Sequence, residues 1–497
     1  MASAPMDLEK GGSSSNRMKI QSSLGGRLAP DLASISNEAG RSRDVTDISI
    51  GETIPRVTNC SNATSCFQRL PSNATRLRLL NQRNTVPMMV AIGPYHQACE
   101  GLYFSKKYKE RVLRWMIQVF SLDENNFLNE MSNKRNDIVQ QNNDLGLADI
   151  SVEEFSKMLL LDSCFIFFIL KRLGCGLIAD VHEAIKGIQV QGDHAQLRQE
   201  TSFLASDIFT HQEEIRVDLI MHENQIPFSV INDLLETYPV LKNFIDERSI
   251  EDLALLFFSE VYPKQNTDLN QHTKPKFLHL LHLFHWSRVP NQRKYAITKR
   301  ERYRRPFVSS ATELQHSGIT FKRKNLGSFI DITFDEGCLK ILGTINIPVI
   351  HINEYNGIIF YNLLAFEQKN TEFGGCFTAY SAWLAHLLQS EEDVKLFRKN
   401  RIVPNTPTPD NEVVQFFQDL KTESEITNLI PELYELFKMV RDHNEGTLNQ
   451  CYGAFKLKYC SNFWITLGVV LFGVVTLVQT TFTVLSYFAT LSGNKKN

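Results

Sequence analysis

Hydrophobic positions recur at helical spacing along most of the chain. From Lys106 onward, Tyr108, Val112, Trp115, Met116, Val119 and Phe120 are separated by charged residues, which predicts an amphipathic helix. Ser151-Val152-Glu153-Glu154 places a serine three residues ahead of an acid, the pattern of a capping box, in front of LLLDSCFIFFIL. The helix so opened runs to about Leu173 and stops at Gly174-Cys175-Gly176. Because Asp162, Lys171 and Arg172 interrupt it, it reads as a buried core helix rather than a membrane span. His211 to Leu235 is also helical, with a break at Glu223-Asn224-Gln225-Ile226-Pro227, since proline lacks an N–H and disfavours helix in the residue before it. Apolar periodicity returns over Ile250 to Val261 and Lys276 to Trp286. The Asn-rich stretch from Asp123 to Asp144 reads as a solvated excursion.

Between Gly327 and Ile352 the period changes. FIDITF and IPVIHI predict two short strands, with Asp335-Glu336-Gly337 as the turn after the first. Helical pattern resumes in YNLLAFEQ and FTAYSAWLAHLL. The expected fold is therefore mainly α, or α+β with a small β element placed late, and no internal repeat is visible.

Between Lys458 and Lys495 there is no Asp, Glu, Lys or Arg. The stretch from Phe463 to Phe488 is longer than a helix needs to cross a hydrocarbon core of roughly 30 Å at about 1.5 Å per residue. Trp464 and Tyr487 sit at its ends, and Lys456, Lys458, Lys495 and Lys496 bracket it, as interfacial anchors do. The predicted organisation is a disordered tail over 1–54, a helical domain over 55–455 with excursions near 123–144 and 288–310, a transmembrane helix over 463–488, and a short polar tail over 489–497. The first 54 residues are rich in Ser, Gly, Asn and Asp, and too poor in apolar groups to offset the entropy of ordering.

Composition narrows the picture only a little. The 497 residues carry a formal charge of -2, so no global field selects nucleic acid or a polyanion. Locally, Arg288, Arg293, Lys294, Lys299, Arg300, Arg302, Arg304 and Arg305 face a single acid, Glu301. That run reads as a solvated loop, with contact to anionic lipid or a phosphorylated partner as the alternative. It has no aromatic interleaving beyond Tyr303, and nucleic acid is not an expected partner. Nine cysteines are scattered without CxxC spacing and read as reduced thiols. The two signals for orientation oppose each other. The N-terminus has no apolar signal segment, which favours a cytosolic domain on a C-terminal anchor, whereas Asn59, Asn62 and Asn73 begin N-x-S/T acceptor patterns, which favour a luminal or extracellular face.

Candidate chemistry is sparse. No Walker A loop, GxGxxG after a strand, HExxH or GxSxG occurs, and no cofactor is expected. His279, His282 and His285 approach metal-ligand spacing, but the first and last diverge by about two-thirds of a turn on a helix, which favours structural histidines over a metal site. Asp162, Asp218, Glu223 and Glu367 sit in apolar surroundings. Paired buried acids serve as general acid and base when their pKa values are driven apart; more commonly they satisfy backbone donors at broken helices.

Several segments, in order, resemble the plant domain-of-unknown-function 247 family. They are PMMVAIGPYH (Pro87 to His96), LDSCF (Leu161 to Phe165), DLIMHENQIPF (Asp218 to Phe228), His279-Leu280-Leu281, ATELQHSGITFK (Ala311 to Lys322), FYNLLAFEQ (Phe360 to Gln368) and FTAYSAWLAHLLQSEEDV (Phe377 to Val394). A C-terminal membrane segment follows them, as in the family. The family-motif positions so identified are Gly93, Pro94, Tyr95, His96, Asp162, Asp218, Glu223, Asn224, Gln225, Pro227, Asn362, Glu367 and Gln368. Departures are modest: Ala91 stands where the family commonly has Ser, and His222 near a common Leu.

The resemblance implies a plant protein with a single C-terminal anchor and no established catalytic activity. Some grass members look like pollen-side determinants of self-incompatibility. The leading expectation is a single-pass membrane protein, at the plasma membrane or an endomembrane, that recognises a protein partner or signals. The alternative is a membrane-tethered, hydrolase-like enzyme using Asp162, Glu223 or Glu367, which requires those carboxylates to share an accessible cleft.

Overall fold

The computed structural model describes residues 85–99, 101–140, 150–175, 194–245, 248–261, 275–289, 309–325, 328, 330–337, 342–352, 354–420, 431–459 and 463–493. The expected tail over 1–54, the acceptor asparagines Asn59, Asn62 and Asn73, and the basic run beyond Val289 lie outside the described residues.

The architecture is mainly α with a small β element late in the chain, as the periodicity predicts. The N-terminal half carries α1 (Lys106–Phe120), α2 (Glu124–Gln140), α3 (Val152–Cys175), α4 (His194–Thr210), α5 (Gln212–Asp218), α6 (Phe228–Thr237), α7 (Pro239–Phe244), α8 (Ile250–Phe257) and α9 (Leu280–Arg288). Helix α3 is the hub. From Cys164 to Leu170 every residue is buried, and α1, α2, α4, α6 and α8 pack around it. A helix that is apolar on all sides needs cover on all sides. Its start is set by Ser151, whose hydroxyl accepts from Glu154 N at 3.2 Å. Even Lys171 is buried there, its ammonium 4.8 Å from the centre of the Phe244 ring.

The expected excursion over 123–144 is instead largely helix α2. Phe127, Met131 and Ile138 are buried at helical spacing, and the many asparagines between them occupy its outer face. Polar composition hid an amphipathic period. Lys134 clamps this helix to α6, donating to Glu130 at 2.7 Å and to Asp233 at 2.8 Å. Arg288, counted with the exposed basic run, is likewise a correction. It is fully buried, and its guanidinium donates to the carbonyls of Phe258 and Val261 just beyond α8 and to the Ser287 hydroxyl at 2.7 Å.

The second half contains α10 (Ala311–His316), β1 (Ile319–Lys324), β2 (Thr333–Glu336), β3 (Gly343–Pro348), α11 (Glu354–Lys369), α12 (Cys376–Leu387), α13 (Glu391–Lys399), α14 (Asp410–Leu420), α15 (Pro431–Glu445) and α16 (Thr447–Tyr459). The sheet order is β1-β3-β2, with β1 parallel and β2 antiparallel to the central strand. Both predicted strands exist but are shifted in sequence. Strand β3 ends at Pro348, because a central strand needs amide donors toward both neighbours and proline has none. Asp335 and Glu336, expected in a turn, extend β2 and pair with Thr344 and Gly343; an edge strand tolerates such exposed acids. Strand β1 went unpredicted, its apolar pair Ile319 and Phe321 being too short a signal beside Lys322, Arg323 and Lys324. At Gly343 an added Cβ would meet the Phe334 ring at 2.7 Å, so that strand position requires glycine.

Helix α17 (Phe463–Gly493) closes the described chain. Its 31 residues span about 46 Å at 1.5 Å per residue, more than a hydrocarbon core of roughly 30 Å. Its Trp464–Thr490 window has a mean hydropathy of 2.0, and none of it is buried against the described protein.

Candidate functional site

Asp162, Asp218, Asn224, Gln225, Asn362 and Glu367 form three buried polar clamps, the first two holding backbone from distant parts of the chain and the third a neighbouring helix start. The first fixes residues 88–93, an irregular segment between α-helical layers whose amides have no strand to pair with. Asp218, at the end of α5, takes that role: its carboxylate accepts from Met88 N at 2.8 Å, Met89 N at 2.7 Å and Val90 N at 2.9 Å. Asn224 continues the ladder, accepting from Ile92 N at 2.6 Å and donating to Val90 O and Asp218 O, each at 3.0 Å. Asp162 on α3 finishes it, accepting from Gly93 N at 2.8 Å.

Gly93 adopts φ +73°, a left-handed conformation that glycine takes without a Cβ clash. Lys109 of α1 then bridges the end of the segment, donating to both Asp162 and the Ala91 carbonyl. Burial pushes the Asp162 carboxyl up, against the pull of the Lys109 ammonium and the Gly93 amide. Burial likewise pushes Asp218 up to about 7, against the pull of its three amide donors. Of the remaining residues in the GPYH motif, Tyr95 packs against the core, His96 is buried with its Nδ1 3.9 Å from Cys99 Sγ, and Pro94 is half-buried.

The second clamp is the break between α5 and α6. Gln225 donates to Leu219 O at 2.9 Å and Met221 O at 2.7 Å, and accepts from Leu281 N at 3.2 Å. Asn362 on α11 accepts from His222 N at 2.7 Å and donates back to Ile358 O at 2.8 Å. Pro227, at φ -57°, is the residue before α6, and the next amide, Phe228 N, reaches Leu278 O at 2.7 Å. Glu223 is buried in the same turn. An extended break in the interior thus keeps its backbone groups paired, as buried polar groups must be.

The third clamp is the start of α12. Glu367 of α11 accepts from Phe377 N at 2.9 Å, and from Thr378 N and Thr378 Oγ1, each at 2.8 Å. This places a carboxylate on the unpaired first-turn amides of a helix, where the dipole also favours negative charge. His285 Nε2 lies 2.9 Å from the same carboxylate. Gln368, next along, is exposed.

Among the described residues no group of three or more His, Cys, Asp or Glu side chains is placed to hold a metal ion, His279, His282 and His285 included. Their nitrogens go elsewhere. His279 precedes α9 and its Nδ1 accepts from His282 N at 3.2 Å, while His282 Nδ1 accepts from Leu278 N at 3.2 Å. The rings pack on Phe366 at centroid distances of 5.1 to 5.6 Å. Burial pushes His282 down to about 3 and His279 well below its ordinary value, so both are neutral. His222 stands apart: it is 2% exposed and neither ring nitrogen has a hydrogen-bond partner among the described residues. Burial pushes it, too, down to about 3.

The enzyme alternative needs Asp162, Glu223 and Glu367 in one accessible cleft. Asp162 and Glu367 are instead both buried, with oxygens held by backbone amides in separate clamps. Sequence reasoning missed Lys109 and Asp393. Asp393 is buried and accepts from Ser390 N at 3.0 Å, Gln389 N at 3.2 Å and Thr312 N at 2.8 Å, joining α13 to α10. The signal for it was present as Ser390 three residues ahead of an acid. Nothing local distinguished Lys109 from the other lysines of α1.

The model of the plant family DUF247, described as plant protein of unknown function, matches residues 70–478. The chain is 24% identical over 468 residues to UPF0481 protein At3g47200 of Arabidopsis thaliana, covering 86% of this chain and 88% of that protein. It is 26% identical over 122 residues to the putative UPF0481 protein At3g02645 of Arabidopsis thaliana, covering 24% and 22% of the two chains. No solved structure matches.

Proposed function

The chain belongs to DUF247, a plant family of unknown function, and on that footing we propose that it is a single-pass membrane protein whose helical region recognises a protein partner. The observation that carries the reading is α17. An apolar window of 27 residues with a mean hydropathy of 2.0 and no cover from the described protein is an exposed surface that water does not tolerate and a bilayer accepts. The roles of Asp162, Asp218 and Glu367 as backbone clamps support a binding rather than a catalytic role, since acids held by amides deep in the core have no substrate to reach.

An exposed aromatic patch on the helical region supports the partner reading. Tyr103, Phe203 and Phe209 are each about half exposed. The Arg111 and Arg172 guanidinium groups lie 4.4 and 5.3 Å from the Phe203 and Phe209 ring centres. Exposed aromatics beside arginine are the side chains that dominate protein interfaces. Self-incompatibility is one setting for such recognition, suggested by the family resemblance of the sequence.

The test is proximity labelling of the full chain in membranes, wild type against a Phe203→Ser/Phe209→Ser double variant. Recognition through this surface predicts that particular protein neighbours disappear in the variant while general membrane neighbours persist. Identical neighbours in both would refute that surface. Release of the chain from membranes by alkaline carbonate would refute the anchor, and a glycosidase mobility shift at Asn59, Asn62 or Asn73 would place the large region on the luminal or extracellular side.

A further inference from the structure

The faces of α17 differ. Thr476, Gln479, Thr483, Ser486 and Thr490 follow one another at alternating steps of three and four residues, so all five lie on one stripe of the helix. The other side carries Val474, Leu477, Val478, Phe482, Leu485 and Phe488, side chains that hydrocarbon solvates well. The hydroxyls on the stripe need no outside partner. Thr476 donates to Phe472 O, Thr483 to Gln479 O and Thr490 to Ser486 O, each at 2.8 Å, and Ser486 donates to Thr483 O at 2.9 Å.

Gln479 does need one. It lies two residues from the centre of the Trp464–Thr490 window, about 3 Å along the axis, at the depth where the bilayer is driest. Its carboxamide brings two donors and an acceptor, and it has no partner among the described residues. The backbone N–H groups around it are already consumed by the helix, which leaves its carbonyl oxygen no donor nearby. A bilayer offers an amide nothing to bond, and desolvating one without compensation is costly.

On the reading that α17 spans a membrane, we propose that it pairs in parallel with α17 of a second copy of this chain, through the stripe that Gln479 centres. An anchor threaded one way through one membrane sets every copy at the same depth and in the same sense. Gln479 therefore faces Gln479 across the two-fold axis, each amide N–H donating to the other's carbonyl oxygen. The group is its own complement. Alternating three- and four-residue steps are those of two helices wound together, with Thr476 and Thr483 packing in the layers on either side. Small side chains there let the backbones approach, and the bulky residues of the other face remain in lipid.

The experiment uses the full chain, fluorescently labelled and reconstituted in phosphatidylcholine vesicles over a range of protein-to-lipid ratios. Energy transfer between copies should rise with that ratio in the wild type, with about tenfold weaker association for Gln479→Leu. Gln479→Asn should keep most of the transfer, because a shorter amide preserves the bonding groups, and Val478→Leu on the lipid face should leave it unchanged. Transfer in Gln479→Leu equal to wild type, with both proteins retained in the bilayer after carbonate washing, overturns the pairing and leaves the anchor intact. Loss of both proteins to the wash overturns the spanning reading and the pairing with it.

Discussion

Replacing His222 with leucine should stabilise the protein, and more so in acid. The ring is buried with both nitrogens unpartnered among the described residues, and a buried polar group left without a hydrogen bond costs about 1–3 kcal/mol. Leucine is of similar volume and brings no polar atom, while the one hydrogen bond of this residue to Asn362 is made by its backbone and survives. At pH 7 the expected gain is about 1–3 kcal/mol. The pH dependence follows from linkage. With the folded-state pKa at about 3 and the unfolded value at 6.5, the unfolded chain binds a proton here between those limits and the folded chain does not. The contribution of His222 to stability is therefore complete above pH 6.5 and is lost as pH falls toward 3. The slope is about 1.4 kcal/mol per pH unit, so the wild type loses roughly 2 kcal/mol at this position between pH 7 and pH 5. The variant loses none of it. His282 has no charge contribution from His222, and His279, which His222 helps to hold down, is held down first by burial, so the difference reports chiefly His222. Urea unfolding of the full chain in mild detergent, followed by tryptophan fluorescence, should show the gap widening by about 2 kcal/mol from pH 7 to pH 5. A variant less stable than wild type at pH 7, or a gap that does not change with pH, would refute the account.

Three further substitutions probe the clamps and the sheet. Asp218→Asn turns an acceptor-only group toward three backbone donors with an NH2 on one side, and should cost about 2–3 kcal/mol, with hydrogen exchange accelerating first at the amides of Met88, Met89 and Val90. Lys109→Met leaves Asp162 buried without its cation and should cost about 3–5 kcal/mol in urea melts. The double variant Lys109→Met/Asp162→Leu should recover part of that loss, and strict additivity of the two single effects would count against the pair. Gly343→Ala drives a Cβ into the Phe334 ring and should lower stability by about 1–3 kcal/mol, relieved by Phe334→Leu.

Much of the secondary structure was legible. The amphipathic period of α1, the serine cap of α3 and the proline break before α6 are local signals, and each lies where the sequence predicts it. The failures are local ambiguities. Helix α2 hid behind asparagines, β1 behind three basic residues, and the strand limits around Pro348 depended on which neighbours β3 would acquire. The acids of the site were recognisable as acids in apolar surroundings. Their work as acceptors for backbone donors was expected, but their partners were not, because Asp218 binds amides 128 to 130 residues away, and no pattern along the chain encodes that separation.

By itself the sequence determined several of the helical stretches, that the chain carries a long uncharged apolar segment near its end, and that it resembles one plant family. These follow from side-chain spacing and composition, which act within a few turns. The tertiary structure alone decided what covers the buried apolar helix. Helix α3 and helix α17 both carry long apolar runs, yet five helices close around α3 while the apolar window of α17 stays uncovered. Burial depends on what the rest of the chain brings alongside, and the same holds for the clamps: the Asp218 carboxylate becomes a backbone clamp only when folding delivers three amides to it.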